Sequence, residues 1–529
     1  MVNPLQRYKS ISVLILDDFS EFRLSLKQMV ESFGVHHVDV CTNAEDALSC
    51  YSEHQHDILL VDYNLGDGLN GLQLLAELNH RNLLKYGTNY VLITGETASD
   101  LVMGALEYRP DDYLAKPFTK TTLKSRLDKL VEKSLAFKPI YTALNQDKPK
   151  TALELCDQLM AKNKRVGIEC LRLKAEIYLK QLKYVQALSI YNSILHKREL
   201  SWAQMGAAIC HLALSQSDQA LSLCKLIATK NPQAVEAYDL ACECFIQQHD
   251  FEAAYAITQK AIAASPNSIV RQRQLALLAT RYNELEIAFN AYKRVMQLAK
   301  YSCLAQLDDY INQLCVCTQI QLTDQANFVR RAKKEYPAIY RTITKLYPGV
   351  QSQLAIEIHQ VFVEYLVNKD DAKGEKLILV VDKIVDYPDA LNSAFINLLE
   401  IIMKHADIEV VTTKLDPIIT RGKAKIISHE DHEKSENFNQ QGMVKYKEKA
   451  FESAQGAFAT ALANAPNNPN IALNLLQAAY QLHKQNQKFT LTKRQFALSL
   501  NALKTLAPHD HRHKQSQSLL NFAKAKLTG

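Results

Sequence analysis

Two short apolar runs, ISVLILDD (residues 11–18) and DILLVD (57–62), each stop abruptly at carboxylates. A run this short, apolar at successive positions instead of alternating, fits a strand buried on both faces, and such strands belong to parallel sheets covered by helices. The segments between and after them support that reading. Phe22, Leu26, Met29, Val30 and Phe33 share one face of a helix that stops before Gly34. VHHVDVCT reads as a second strand, and NAEDALSCYSEH as a helix with Asn43 as its cap. Beyond DILLVD come a glycine-rich loop, the helix GLQLLAELNHRN, the strand YVLIT (90–94), a short helix around 98–107, the strand DYLA (112–115) and a helix from about Thr119. The pattern predicts an α/β doubly wound (βα)5 domain.

Function in such a sheet collects at the carboxyl ends of its strands. The polar residues there are Asp17, Asp18, Asp62, Thr94 and Lys116. Three carboxylates at one sheet edge repel unless a hard cation neutralises them, and Mg2+ suits, because it accepts a few carboxylates and keeps water and phosphate oxygens as its other ligands. A carboxylate beside such an ion can attack a phosphoryl group, and a hydroxyl and an ammonium can bind the transferred oxygens.

These residues, together with YLAKPF (113–118), resemble the CheY-like receiver domain of response regulators over roughly residues 10–130. The resemblance implies that Asp62 is the phosphoacceptor of a sensor histidine kinase or phosphotransfer protein. It implies a Mg2+ site of Asp17, Asp18, Asp62 and the backbone carbonyl of Asn64. Thr94 and Lys116 become the phosphoryl-binding residues, Tyr113 the switch aromatic, and Pro117 a cis-proline-like turn. Asn64 and Glu96 occupy the positions that tune the lifetime of the phosphoryl group, and the pair implies rapid self-dephosphorylation. Two departures stand beside the site: Gly66 where the family often has proline, and a loop to Gly71 that is one residue long for the family.

The remaining chain, of 529 residues in all, is too long to share one core with that domain. It repeats with a period near 34: Ala187, Ala220, Ala254 and Ala288 recur at spacings of 33, 34 and 34, with Ala152 a further 35 upstream. Small residues stand at Ala175, Ala208, Cys242 and Ala276, and Pro232 and Pro266 are 34 apart. The units at 237–266 and 437–466 resemble the tetratricopeptide (TPR) repeat, a helix–turn–helix that buries its apolar face only by stacking on neighbours. The expected organisation is a receiver at 10–130, TPR-like repeats at 131–300, diverged helical repeats at 301–430, and a TPR-like repeat with capping helices at 431–529. The polar stretch 419–437 reads as a loop or hinge, and the single Trp202 as repeat packing.

Charge and cysteine usage narrow the function further. Residues 1–130 hold 12 Lys+Arg and 18 Asp+Glu; the rest hold 50 and 38. The basic excess is spread without a cluster, so no DNA binding is expected. Eleven cysteines include no CxxC pair, and the CxC pairs Cys242/Cys244 and Cys315/Cys317 lack partners at zinc spacing. HEDHE (429–433) is not a zinc-enzyme motif. No signal sequence or membrane-spanning run stands out, so a cytoplasmic location without membrane insertion is expected. The expected protein is a signalling and interaction protein, an enzyme only towards its own phosphoryl group, whose TPR groove binds a protein partner and whose receiver could pair as a homodimer. The competing reading is a phosphate-buffering or kinase-inhibiting regulator whose repeats serve only docking to the kinase.

Overall fold

The computed structural model describes residues 7–66, 68–95, 110–300, 302, 304–368, 371–387, 392–465, 468–486, 490–503 and 513–528. It divides into two compact bodies, one of residues 1–178 and 184–348, the other of residues 179–183 and 349–529.

The first body begins with five parallel strands, β1 (Ser12–Leu16), β2 (His37–Cys41), β3 (Ile58–Asp62), β4 (Asn89–Thr94) and β5 (Asp112–Ala115), in the order β2-β1-β3-β4-β5. Strand alternation sorts the core into two layers. Val13 and Ile15 of β1, with Leu60 of β3, meet Leu26 and Val30 of α1 (Ser20–Glu31) and Leu123 and Leu127 of α4 (Lys120–Asn145). Leu14 and Leu16 point the other way, towards α2 (Ala44–Glu53) and α3 (Gly71–His80). β3 and β4 are buried throughout, as their central apolar runs ILLV and YVLI require, and they carry the polar residues Asp62, Asn89 and Thr94 into burial at their ends. β2 is mostly exposed because it lies at the sheet edge, which accounts for its polar composition. Asn43 caps α2 by accepting from the Asp46 amide, and Asn70 and Gln73 form a reciprocal capping box at α3. The helix expected around 98–107 lies outside the described residues.

α4 runs for 26 residues, about 39 Å, and serves two cores. Leu123, Leu127 and Val131 close one face of the sheet; Phe137, Ile140 and Ala143 open the first helical-repeat core with Ala152, Cys156 and Cys170. Pro139 lies inside this helix. It has no N–H, so the carbonyl of Leu135, four residues back, loses its helical partner where the helix passes from one core to the other. The junction is braced by the loop before β4. Asn145 accepts from the Tyr86 amide at 2.9 Å and donates to the Tyr86 carbonyl at 3.0 Å, and Asn89 donates to Ser134 Oγ at 2.8 Å.

Consecutive helices follow: α5 (Pro149–Lys162), α6 (Gly167–Lys180), α7 (Tyr184–Leu195), α8 (Ser201–Ala213), α9 (Ser217–Lys230), α10 (Val235–Gln247), α11 (Phe251–Ala264), α12 (Ile269–Arg281), α13 (Leu285–Ala299), α14 (Leu307–Gln321) and α15 (Ala326–Leu346), with α10 and α11 forming the unit at 237–266. The periodic alanines 152, 187, 220, 254 and 288 are all completely buried, as are Ala175, Ala208 and Ala276. Each periodic alanine follows by five residues a non-glycine residue in left-handed conformation: Asp147, Leu182, Ser215, His249 and Asn283. Trp202 packs edge-on against Tyr191 at 6.2 Å beneath Arg172, within the repeats.

The second body is also helical: α16 (Val350–Asn368), α17 (Asp371–Val385), α18 (Ser393–His405), α19 (Glu409–Lys447), α20 (Phe451–Asn464), α21 (Pro469–Asn486), α22 (Lys493–Leu503) and α23 (His513–Thr528). The loop or hinge expected at 419–437 is instead the interior of α19. Its polarity misleads, because Lys, Ala and Glu are strong helix formers, and the helix is anchored by packing at both ends. The side chains of HEDHE lie outside the described residues. Near the end of α19, a Cβ at Gly442 would lie 2.5 Å from the Phe458 ring, so helix contact there requires glycine. Among the described residues no helix is long and apolar enough to cross a membrane.

Gly87 tests the brace at the junction. Its φ of +94° disfavours any side chain, and a Cβ there would lie 2.8 Å from the Tyr141 ring. Gly87→Ala should therefore lower stability by about 1–3 kcal/mol. A melting curve with an unchanged midpoint would show that the loop is not held against α4.

Candidate functional site

The carboxyl edges of β1, β3, β4 and β5 bring Asp17, Asp62, Thr94 and Lys116 to one place. Asp17, Asp62 and Thr94 are buried, while Asp18 is exposed. Carboxylate oxygens of Asp17, Asp18 and Asp62 lie within 4.8 Å of one another. Lys116 sits between two of them, its Nζ 2.9 Å from Asp17 Oδ2 and 3.2 Å from Asp62 Oδ2. The Lys116–Pro117 peptide is cis, and the Lys116 amide donates to the Thr94 carbonyl at 2.6 Å. Asp17 is itself held, its Oδ1 accepting from the Phe19 amide at 2.9 Å.

Backbone packing fixes Asp62. A Cβ on Gly71 would lie 2.4 Å from the Asp62 carbonyl oxygen, so α3 starts directly against the end of β3. The Tyr90 hydroxyl donates to the Gly71 carbonyl at 2.6 Å and holds that approach. Gly66 has φ +73° and faces Asp18, and proline, with φ fixed near −65°, cannot adopt that conformation. The departure from the family pattern at this position therefore has a local backbone cause.

Of the remaining residues singled out from sequence, Asn64 is exposed in the loop after β3 and Tyr113 is half-buried against the layer under α2 and α3. Glu96 lies outside the described residues. Two side chains at the site escaped the sequence reading. Phe22, assigned only to the apolar face of α1, lies under the Lys116 ammonium at 4.0 Å and packs edge-on against Phe118. Arg23 donates to the Asp17 carbonyl at 2.5 Å. The signal available was position: both lie in the first turn and a half of the helix that follows the Asp-Asp pair.

Three carboxylates against one ammonium leave an uncompensated negative pocket of hard oxygen donors, which fits Mg2+. Burial pushes Asp62 up from 3.8 to about 6, with Lys116 opposing and Asp17 reinforcing the shift.

This arrangement, a doubly wound five-stranded sheet with an acidic pocket and a lysine at its carboxyl edge, defines a receiver-type domain. Residues 13–128 match the profile of the response regulator receiver domain, and residues 135–265 match that of the Psidin N-terminal TPR repeats region. The chain is 30% identical over 125 residues to chemotaxis protein CheY-3 of Vibrio cholerae, covering 24% of this chain and 95% of that one. It is 28% identical over 123 residues to chemotaxis protein CheY of Pseudomonas aeruginosa, covering 23% and 98%. Among solved structures, a CheY-like receiver domain protein from Methanospirillum hungatei aligns at 24% identity and a TM-score of 0.22, covering 24% of this chain and 97% of that one. The chain belongs to the response regulator receiver family, with a TPR repeat region following the receiver domain.

The Asp62 shift has a definite sign. Between about pH 4 and 6 the folded chain holds a proton on Asp62 that the unfolded chain has released, so this contribution to stability is complete below about pH 4 and lost as pH rises through 6. Asp62→Asn should therefore melt higher than the parent in metal-free buffer at about pH 7.5, with the gap closing by about pH 4. Equal midpoints across that range would mean that Asp62 is not held against its burial.

Proposed function

We propose that the chain is a phosphorelay response regulator in which phosphorylation of Asp62 switches the protein-binding surface of the TPR repeats. Asp62 attacks the phosphoryl group of a phosphohistidine on a kinase or phosphotransfer protein; the P–N bond breaks as the P–O bond to Asp62 forms. Asp17, Asp18, Asp62 and the Asn64 carbonyl would hold Mg2+, which when bound offsets charge on the transferring oxygens. Lys116 and the Thr94 hydroxyl bind those oxygens, and Lys116 exchanges one carboxylate partner for phosphate. Return to the unphosphorylated state is hydrolysis of the acyl phosphate, with Asn64 and Glu96 setting its rate. The Asn64/Glu96 pair favours a short-lived phospho-state, and survival of phospho-Asp62 for hours in magnesium buffer would contradict this.

The observation that carries the switching step is the path from Asp62 to the repeats. Gly71 is packed on the Asp62 carbonyl, and two residues later Gln73 Nε2 donates to the Leu298 carbonyl in α13 at 3.1 Å. The continuous α4 gives a second route, from the β5 edge with Tyr113 into the first repeat core. A displacement at Asp62 is thus felt by elements that bear directly on the array, which supports a shift between two arrangements over simple tethering.

The deciding experiment is affinity capture from cell extract with and without beryllofluoride and Mg2+, with Asp62→Ala as control. A partner gained or lost only with activated Asp62 is expected. An unchanged partner list containing only a histidine kinase would overturn the switch in favour of phosphate buffering or kinase inhibition. A flexible linker inserted between Leu135 and Ala136, where α4 passes between its two cores, should weaken the effect of beryllofluoride on partner affinity at least about tenfold. Full regulation after that insertion would rule out transmission through α4.

A further inference from the structure

Beside the edge strand β2 of the same sheet a second constellation has donors of a different chemistry. Asp39 of β2, Cys50 of α2 and His56, just before β3, present a carboxylate oxygen, a thiol and an imidazole nitrogen within 4.8 Å of one another. His56 is almost fully buried. Its Nε2 lies 2.9 Å from Asp39 Oδ2, while its Nδ1 is buried without a hydrogen-bond partner. The ring is fixed by stacking on Tyr51, whose hydroxyl is 2.9 Å from Thr88 Oγ1, which in turn donates to the His56 carbonyl at 3.2 Å. Cys41, two residues along β2 on the same face as Asp39, brings its thiol into contact with that of Cys50. Asp39 is half exposed and leaves a way in from solvent.

We propose that Asp39, Cys50 and His56, with Cys41 or water as fourth ligand, bind a borderline-soft divalent cation, Zn2+ in the first place. Thiolate, imidazole and carboxylate are the donors Zn2+ takes, whereas Mg2+ takes oxygen. In a tetrahedral zinc site neighbouring ligand atoms lie about 3.3–3.8 Å apart. The separations here, from 2.9 Å up to at most 4.8 Å, bracket that range, so small side-chain movements close the site. An imidazole with one nitrogen on a carboxylate and the other buried and unpaired is costly to keep. A cation bound through Nδ1 supplies the missing interaction. Along β3, His56 and Asp62 are separated by about 20 Å of extended chain. The two sites therefore differ in place as well as in ligand type, and zinc would staple the exposed edge strand β2 to α2 and to the start of β3.

The test uses the full chain, reduced, stripped of metal and held in excess Mg2+ so that the acidic pocket stays filled. Zn2+ is titrated against a chromophoric chelator, and Co2+ is then used as a spectroscopic substitute. One equivalent bound by the parent should weaken at least about 100-fold in Cys50→Ser and His56→Gln, and less in Asp39→Asn. The thiolate-to-cobalt absorption should vanish in Cys50→Ser. Circular dichroism checks the folding of each variant, and Asp39→Asn, which keeps size and hydrogen bonding at a half-exposed position, carries the test should the other two misfold. The proposal fails if no equivalent binds, if binding is indifferent to all three substitutions, or if mass spectrometry finds a Cys41–Cys50 disulfide and the reduced chain takes up no zinc.

Discussion

The receiver domain is organised around a charge that it does not balance. The Lys116 ammonium reaches both Asp17 and Asp62, yet Asp18 stands beside them, so three carboxylates face one ammonium, with the Arg23 guanidinium held on the Asp17 backbone carbonyl. Burying Asp62 under that surplus is unfavourable, and its raised proton affinity records the cost. Everything nearby limits how the surplus can relax. The Phe22 ring receives the ammonium from one side, the Phe19 amide holds Asp17, and α3 is pressed onto the Asp62 backbone at Gly71.

The strands and their polar ends were legible because β1, β3 and β4 are buried on both faces, which leaves little latitude in composition, and because chemistry collects at one sheet edge. The periodic alanines were legible for a related reason: each is completely buried where two helices touch, so nothing larger fits. What stayed hidden depends on neighbours distant in sequence or on backbone shape. Phe22 reads as a core residue until Lys116, 94 positions later, is placed over it. The left-handed turn residues Asp147, Leu182, Ser215, His249 and Asn283 share no residue type, so no compositional signal marks them despite their regular spacing. The polar stretch within α19 misleads because its polarity suggests a loop while the residues themselves favour helix.

The Asp39–Cys50–His56 group shows the same blind spot in another form. Zinc motifs are sought along the chain, as close pairs of ligands. Here the three donors come from an edge strand, a helix and the loop before β3, and only the crossover from β2 to β3 brings them together. The other described cysteines, apart from Cys41, stand in the helical repeats of the first body, where they are buried as small hydrophobes. Cys50 is the one among them all that is only partly buried.

Because one helix belongs to two cores, the angular phase between sheet and repeats is written into its residue count. Each residue added to α4 near Leu135 would turn everything beyond it by about 100° and advance it about 1.5 Å. The Tyr86–Asn145 pair and the Gln73–Leu298 bond could not both survive such a turn. Over evolutionary time the receiver and the array can therefore diverge freely in surface sequence, but the length of the helix between them is locked. Recombination that exchanged either part for a relative's would succeed only where the crossover preserved that register.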